Sequence, residues 1–294
     1  NRGPFLSMNP FSSRCCQHNH AQGWPYFTEH LVLATPDNGV ATAIYAACKA
    51  TVKVGDGKEI TLHEETNYPF EEAIAFTVST GEKVAFPFYL RIPSWTQKAE
   101  VRVNGKKVSA APVAGKYLCI NREWANGDRV ELTLPMSLSM RTWQVNKNSV
   151  SVDYGPLTLS LKIAEKYVEK DSRETAIGDS KWQKGADSKK WPTTEIYPDS
   201  PWNYSLVLDK KEPLKNFKVI RKSWPADNYP FTATSVPLEV KAIGRPVPEW
   251  KIDETGLCGV LPEEDAVKGD KEEITLIPMG AARLRISAFP NTKE

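Results

Sequence analysis

The sequence predicts a mainly β protein: two antiparallel β-sandwich domains preceded by a short helical segment. Three observations carry this. From about Val40 onward, apolar and polar residues alternate with period two, the spacing of a strand with one buried face. Gly-bearing turn signals separate these runs at the intervals of short strands. Helical spacing is confined to the first thirty-odd residues.

The helical segment comes first. In HNHAQGWPYFTEHLVLAT, Ala21, Trp24, Phe27 and Leu31 fall at helical spacing, and Pro25 predicts a break or a helix start near Trp24. This piece is too short to fold alone and needs a cover for its apolar side. In VATAIYAACKATVKV, small and β-branched residues fill a run long enough for one bent strand or two. GDG at 55–57 then predicts a hairpin into EITLHEET. Ile74, Phe76 and Val78 alternate in AIAFTVST, as do Val84, Phe86, Phe88, Leu90 and Ile92 in the next run. Pro87 and Pro93 predict that this last strand is an edge or carries a bulge. Asn104-Gly105 suits a type I′ turn, since both residues tolerate positive φ. Val130, Leu132 and Leu134 alternate again. These runs place the helical segment at 1–33 and the first sandwich at 34–140.

The second sandwich, 141–294, starts at NSVSVDYGPLTLSLKI and resumes at YSLVLD, SVPLEVKAIG and EITLIPMGAARLRISAF. Between them, 164–202 is polar and lysine-rich and reads as a long surface excursion without strands, pinned by Trp182, Trp191 and Trp202.

Bulk properties exclude several classes of function. Thirty-eight basic and 36 acidic side chains nearly balance, so no electrostatic footprint for nucleic acid is present. No apolar run approaches the roughly 18–20 residues of a spanning helix. The chain opens NRGPFLSMNP, with neither an initiator Met nor a signal-peptide pattern, and reads as cut from something longer. There is no P-loop and no EF-hand spacing. The pairs Glu64, Glu65 and Glu71, Glu72 flank a Tyr-Pro turn and read as solvated surface, and His30 and His63 as structural. Cys48 and Cys119, in strand-like runs, read as buried free thiols acting as small hydrophobes.

SSRCCQHNH is the exception, with two cysteines and two histidines in one short stretch. Cys15, Cys16, His18 and His20 are of the types that ligate zinc, although C-x₂-C spacing is absent and a site from consecutive residues is cramped. A strained vicinal disulfide, a thiolate nucleophile helped by Arg14 or a helix N-terminus, and two ordinary buried cysteines all remain open from the residues alone.

CCQHN, followed by the Trp/Phe/Leu-bearing helix and then by GDGKEITLHEETNYPF, FYLRIPSW, AEVRVNGKKV and VDYGPLTLSL, resembles the C-terminal half of glycoside hydrolase family 127, the β-L-arabinofuranosidase-like enzymes, with their relatives in family 146. The resemblance spans 15–163 and continues in style to about 288. It implies an upstream (α/α)₆ barrel of the same polypeptide, of which 1–33 is the last piece. It implies Cys15 as the glycosidase nucleophile, and Cys15 and Cys16 as zinc ligands with a Glu and a Cys from the barrel. The partner implied is carbohydrate, an arabinose-containing glycan degraded by a bacterium, with the enzyme periplasmic or exported. This chain is expected to be inactive alone. Two other readings compete: glycan binding by rings such as Trp182, Trp191, Trp202, Trp224 and Trp250, and sandwiches that only buttress the barrel.

Overall fold

In the computed structural model the described residues are 15–171, 187, 189–190, 192–253, 256–263 and 268–294, without the side chains of 15–20 and 193. The mainly β class holds. Two compact units divide the described strands, one within Asn19–Ser137 and the other within Leu138–Glu294.

Helix α1 runs Cys15–Glu29. The first unit then takes β1 (Val32–Ala34), β2 (Val40–Thr42), β3 (Cys48–Val54), β4 (Lys58–Thr66), β5 (Ala73–Thr80), β6 (Val84–Arg91), β7 (Glu100–Val103), β8 (Lys106–Lys107), β9 (Tyr117–Trp124) and β10 (Arg129–Thr133). These form a four-stranded sheet, β1-β2-β6-β9, and a six-stranded sheet, β3-β4-β5-β10-β7-β8. Their inner faces share one core. Ile60, Leu62, Ile74, Phe76, Val78, Val130 and Leu132 come from the larger sheet, and Val40, Phe86, Phe88, Leu90 and Trp124 from the smaller. Alternation decides this arrangement, because period-two apolar residues all point to one face of a pleated strand. The type I′ prediction holds at Asn104 and Gly105, with φ of 50° and 77°.

Two expectations are corrected here. Helix α1 passes through Pro25 rather than breaking or starting near Trp24. Strand β6 is not an edge, since it lies between β2 and β9. Its pairing with β2 is parallel and begins at Val40 opposite Phe88, so Pro87 sits just where that ladder ends and its missing N–H leaves no gap in it. Gly39 makes the approach possible: a Cβ there would lie 2.2 Å from the Pro87 carbonyl oxygen.

Trp124 is the largest fully buried side chain of this core; its indole N–H donates to the Phe86 carbonyl at 2.9 Å. Trp124→Ala is expected to destabilise the first unit by about 3–5 kcal/mol, because the surrounding rings relax only partly into the space. Trp124→Phe should lose less, keeping a ring and giving up chiefly the hydrogen bond. Denaturant midpoints of the two variants check the order.

The second unit takes β11 (Leu138–Trp143), β12 (Ser149–Tyr154), β13 (Leu157–Leu161), β14 (Glu165–Lys170), β15 (Thr193–Pro198), β16 (Tyr204–Leu208), β17 (Lys218–Arg221), β18 (Leu238–Pro246), β19 (Glu272–Pro278) and β20 (Asn291–Lys293). The main sheet follows β11-β12-β13-β19-β18-β16-β20, with β17 beside β18. It closes on itself. Phe289 exchanges both backbone hydrogen bonds with Val150 of β12, at 2.8 and 2.9 Å, while the next carbonyl, Pro290, accepts from Leu206 of β16 at 2.9 Å. One short segment therefore joins β12 to β16, each the second strand from an end of the sheet order, around a core that includes Val150, Leu159, Leu206, Val240, Leu276 and Phe289. Among the described residues each unit contains one parallel pair, β2–β6 and β16–β20, in otherwise antiparallel pairings.

The excursion is not strand-free. β14 and β15 pair along six residues, from Glu165 opposite Pro198 to Lys170 opposite Thr193. Most of 172–191, including Trp182 and Trp191, lies outside the described residues. On β18, burial pushes the Glu239 carboxyl upward, but ammonium groups of Lys162 at 2.7 Å and Lys222 at 2.5 Å outweigh it and hold the group below the usual glutamate range.

Candidate functional site

Cys15 and Cys16 open helix α1. Their side chains lie outside the described residues, as do those of His18 and His20. The backbone still carries chemistry. The first N–H groups of a helix have no partners within it, and the helix dipole adds partial positive charge, which together favour an anion there.

The rest of the helix is exposed from Ala21 to His30. Trp24 and Tyr26 are 60% and 64% exposed, and the Trp24 and Phe27 rings meet edge to face at 6.3 Å. Thr28 Oγ1 donates to the Trp24 carbonyl at 2.8 Å, one carbonyl of the turn around Pro25, and His30 Nδ1 meets the Tyr26 carbonyl at 2.6 Å. Side chains thus satisfy backbone oxygens in a stretch where Pro25 removes one donor. Large aromatic rings at such exposure mark a surface suited to burial against something else.

A second constellation lies inside the first unit, where surface acid was expected. Glu64, expected on the surface, is 1% exposed. One carboxyl oxygen, Oε2, accepts the Cys48 thiol at 3.9 Å, and the Ala46 backbone N–H also donates to the carboxyl group. Its other oxygen, Oε1, has no hydrogen-bond partner. Burial pushes the carboxyl up to about 8, against the pull of those two donors. Cys48 is half-buried and is raised to about 11, first by burial and then by the neighbouring Glu64. Tyr45, raised by burial, donates to the Arg91 carbonyl at 2.5 Å, and Arg91 Nε donates to the Ala43 carbonyl at 2.5 Å. Burial thus favours the protonated form of Glu64, and the same burial keeps substrate from reaching it. The signal was present in the sequence, since Glu64 is in phase with Ile60 and Leu62 on the inward face of β4.

The other expected residues are scattered. Cys119 is exposed on β9 rather than buried. Glu72 Oε1 accepts the Met136 N–H at 3.0 Å, and Glu65 lies 3.5 Å from Arg129. His30 is exposed and His63 half-buried. Trp202 and Trp250 pack edge to face at 5.2 Å, with Trp250 buried and its N–H on the Gly259 carbonyl. Trp224 is half-buried and donates to Asn228 at 2.7 Å. Two of the five proposed stacking rings are therefore structural. Among the described residues, no group of three or more His, Cys, Asp or Glu is placed to hold a metal, and no helix is long and apolar enough to cross a membrane.

Residues 39–136 match the family model described as beta-L-arabinofuranosidase, GH127 middle domain. This segment is a GH127 middle domain. The match covers most of the first unit and includes Glu64 and its neighbours. Three solved structures share the fold of the whole chain. A GH127 beta-L-arabinofuranosidase from Geobacillus stearothermophilus T6 is 21% identical over 95% of this chain, with a TM-score of 0.63. A protein described as a glycoside hydrolase is 21% identical over 99%, at 0.65, and a GH127 beta-arabinofuranosidase is 22% identical over 97%, at 0.62. This chain spans only 37%, 42% and 41% of those three chains, respectively. No curated protein matches the chain. The GH127 middle domain is thus accompanied by a second β unit in the arrangement of strands those structures share.

Proposed function

We propose that this chain is the C-terminal part of a retaining glycoside hydrolase that acts on L-arabinofuranosides of plant-type glycans in a bacterium, at a periplasmic or exported location. What supports the reading is the conjunction of a GH127 middle domain with two adjacent cysteines opening the helix that precedes it. On this reading the chain is inactive alone. An upstream helical barrel of the same polypeptide supplies the carboxylic acid the reaction requires and covers the exposed aromatic face of α1.

In this mechanism the Cys15 thiolate attacks the anomeric carbon. A carboxylic acid of the barrel protonates the departing glycosidic oxygen as the bond to it breaks. The same carboxyl, now a base, takes a proton from water, whose oxygen displaces the sulfur and returns the thiolate. Configuration is retained through two inversions. The helix N-terminus holds negative charge on the sulfur at neutral pH.

Zinc fits the donor chemistry of this helix start, since two thiols in one turn are the soft ligands it prefers. Cys15 and Cys16 are the residues of this chain that would hold it, with a Glu and a Cys from the barrel; when bound, zinc keeps the thiol deprotonated. Arabinose release by the full-length protein and its Cys15→Ala variant tests the proposal, and undiminished turnover would overturn it.

A further inference from the structure

The six-stranded sheet buries one face, and its other face is hollowed. Along one row of the register lie Glu65 of β4, Ala75 of β5, Glu131 of β10 and Arg102 of β7. In the neighbouring row Ala73 stands opposite Thr133. The two alanines leave a notch between taller side chains. Adjacent strands are roughly 4.8 Å apart, so the backbones bearing Glu65 and Glu131 stand about 10 Å apart across it. Arg129 bridges the two carboxylates at 3.5 Å to each. Asn67 and Glu71, from the loop after β4, complete a hollow of about 480 Å³.

The lining decides the ligand class. Three carboxylates accept hydrogen bonds, two guanidinium groups donate them, and Asn67 and Thr133 do either, all above a methyl floor; the Thr66 hydroxyl is already engaged, donating to the Ala73 carbonyl and accepting the Tyr68 N–H. Because the charges are mixed, a ligand of either sign meets repulsion from part of the rim. A neutral polyol uses donors and acceptors together and lays its C–H groups on the alanines. The volume lies within the roughly 300–1,000 Å³ of small-ligand sites. We propose that this hollow of the GH127 middle domain is a binding subsite for a short stretch of neutral saccharide. No aromatic ring lines it and its charged side chains are about half exposed, so affinity is weak, with Kd on the order of 1–10 mM. The saccharide class follows from the lining; the choice of arabinose-containing probes rests on the function proposed above.

The test is an NMR titration of this chain with arabino-oligosaccharides, and in parallel with xylo- and cello-oligosaccharides. Saturable shifts should concentrate at Ala73, Ala75, Glu131 and Thr133. Ala75→Phe, which fills the notch from an outward position on a strand, should weaken binding by about tenfold or more. Glu131→Gln removes one charged acceptor without changing size and should weaken it by about threefold; it keeps the test open if the bulkier variant fails to fold. If none of the sugars shifts this row, or if binding survives both substitutions, the subsite is overturned. Binding of xylo- or cello-oligosaccharides alone upholds the subsite and counts against arabinofuranosides as substrate. Catalysis by the full-length enzyme through Cys15, without any titration here, leaves the proposed function standing and removes only the subsite.

Discussion

On the mechanism proposed above, full-length enzyme carrying Cys15→Ala is expected to release arabinose about a thousandfold more slowly than the parent, or worse. Removing a nucleophile abolishes the covalent route altogether, and what survives is binding plus acid assistance to direct attack by water. Loss alone does not separate attack from a structural role, so a second readout is needed. Azide, a small anionic nucleophile, would on that mechanism enter the space the thiol vacates and attack the anomeric carbon while the proposed barrel acid protonates the leaving oxygen. The product is a glycosyl azide of inverted configuration, and it should form with Cys15→Ala only. Cys16→Ala should lower zinc content and turnover together and show no azide product. A Cys15→Ala enzyme that keeps its rate, or one whose rate returns simply on adding zinc, would refute attack by this sulfur.

Much of the first unit was legible because a sandwich strand advertises its buried face. In β5 and β6 every second residue is apolar, and those residues are the core. Turn chemistry fixed the hairpins, since Asn104 and Gly105 adopt the positive φ their sequence allows. The parallel β2–β6 pairing left no local trace, because three residues of β2 carry no register signal and the contact depends on Gly39 lacking a side chain. Strands β14 and β15 escaped notice for a different reason. EKYVEK and TTEIYP show no apolar alternation, and their tyrosines, Tyr167 and Tyr197, each donate to a glutamate two residues earlier rather than packing inward. Helix α1 was legible from its spacing but its continuity was not, since Pro25 signals a break that the chain does not make. At the candidate site, the cysteine pair stood out by composition, but Glu64 was discounted as turn-flanking acid although its phase in β4 put it inside.

Stability of the first unit should fall as pH rises from about 5 to 8, and Glu64→Gln should abolish that slope. In the folded protein the Glu64 carboxyl keeps its proton up to about 8, whereas the unfolded chain releases it near 4.5. Below the lower value both states hold the proton, and its stabilising contribution is fully present. Between the two values the folded state binds one more proton than the unfolded state, so each unit of pH removes about 1.4 kcal/mol. Summed over the interval, the loss is on the order of 3–5 kcal/mol, a large share of the stability of a domain. Above about 8 the carboxylate is charged in both states and the loss is complete. Gln keeps the shape and cannot ionise; its amide leaves one donor where Oε1 has no partner, so at pH 5 the variant should be somewhat weaker than the parent. At pH 9 the order reverses. Urea midpoints of the two proteins at pH 5, 7 and 9 read this crossing directly, with Glu65→Gln, an exposed neighbour on the same strand, as the control that should change little. Parallel pH profiles for the parent and Glu64→Gln would mean that Glu64 is ionised in the folded state at neutral pH, and that the carboxyl beside Cys48 has found solvent or a cation.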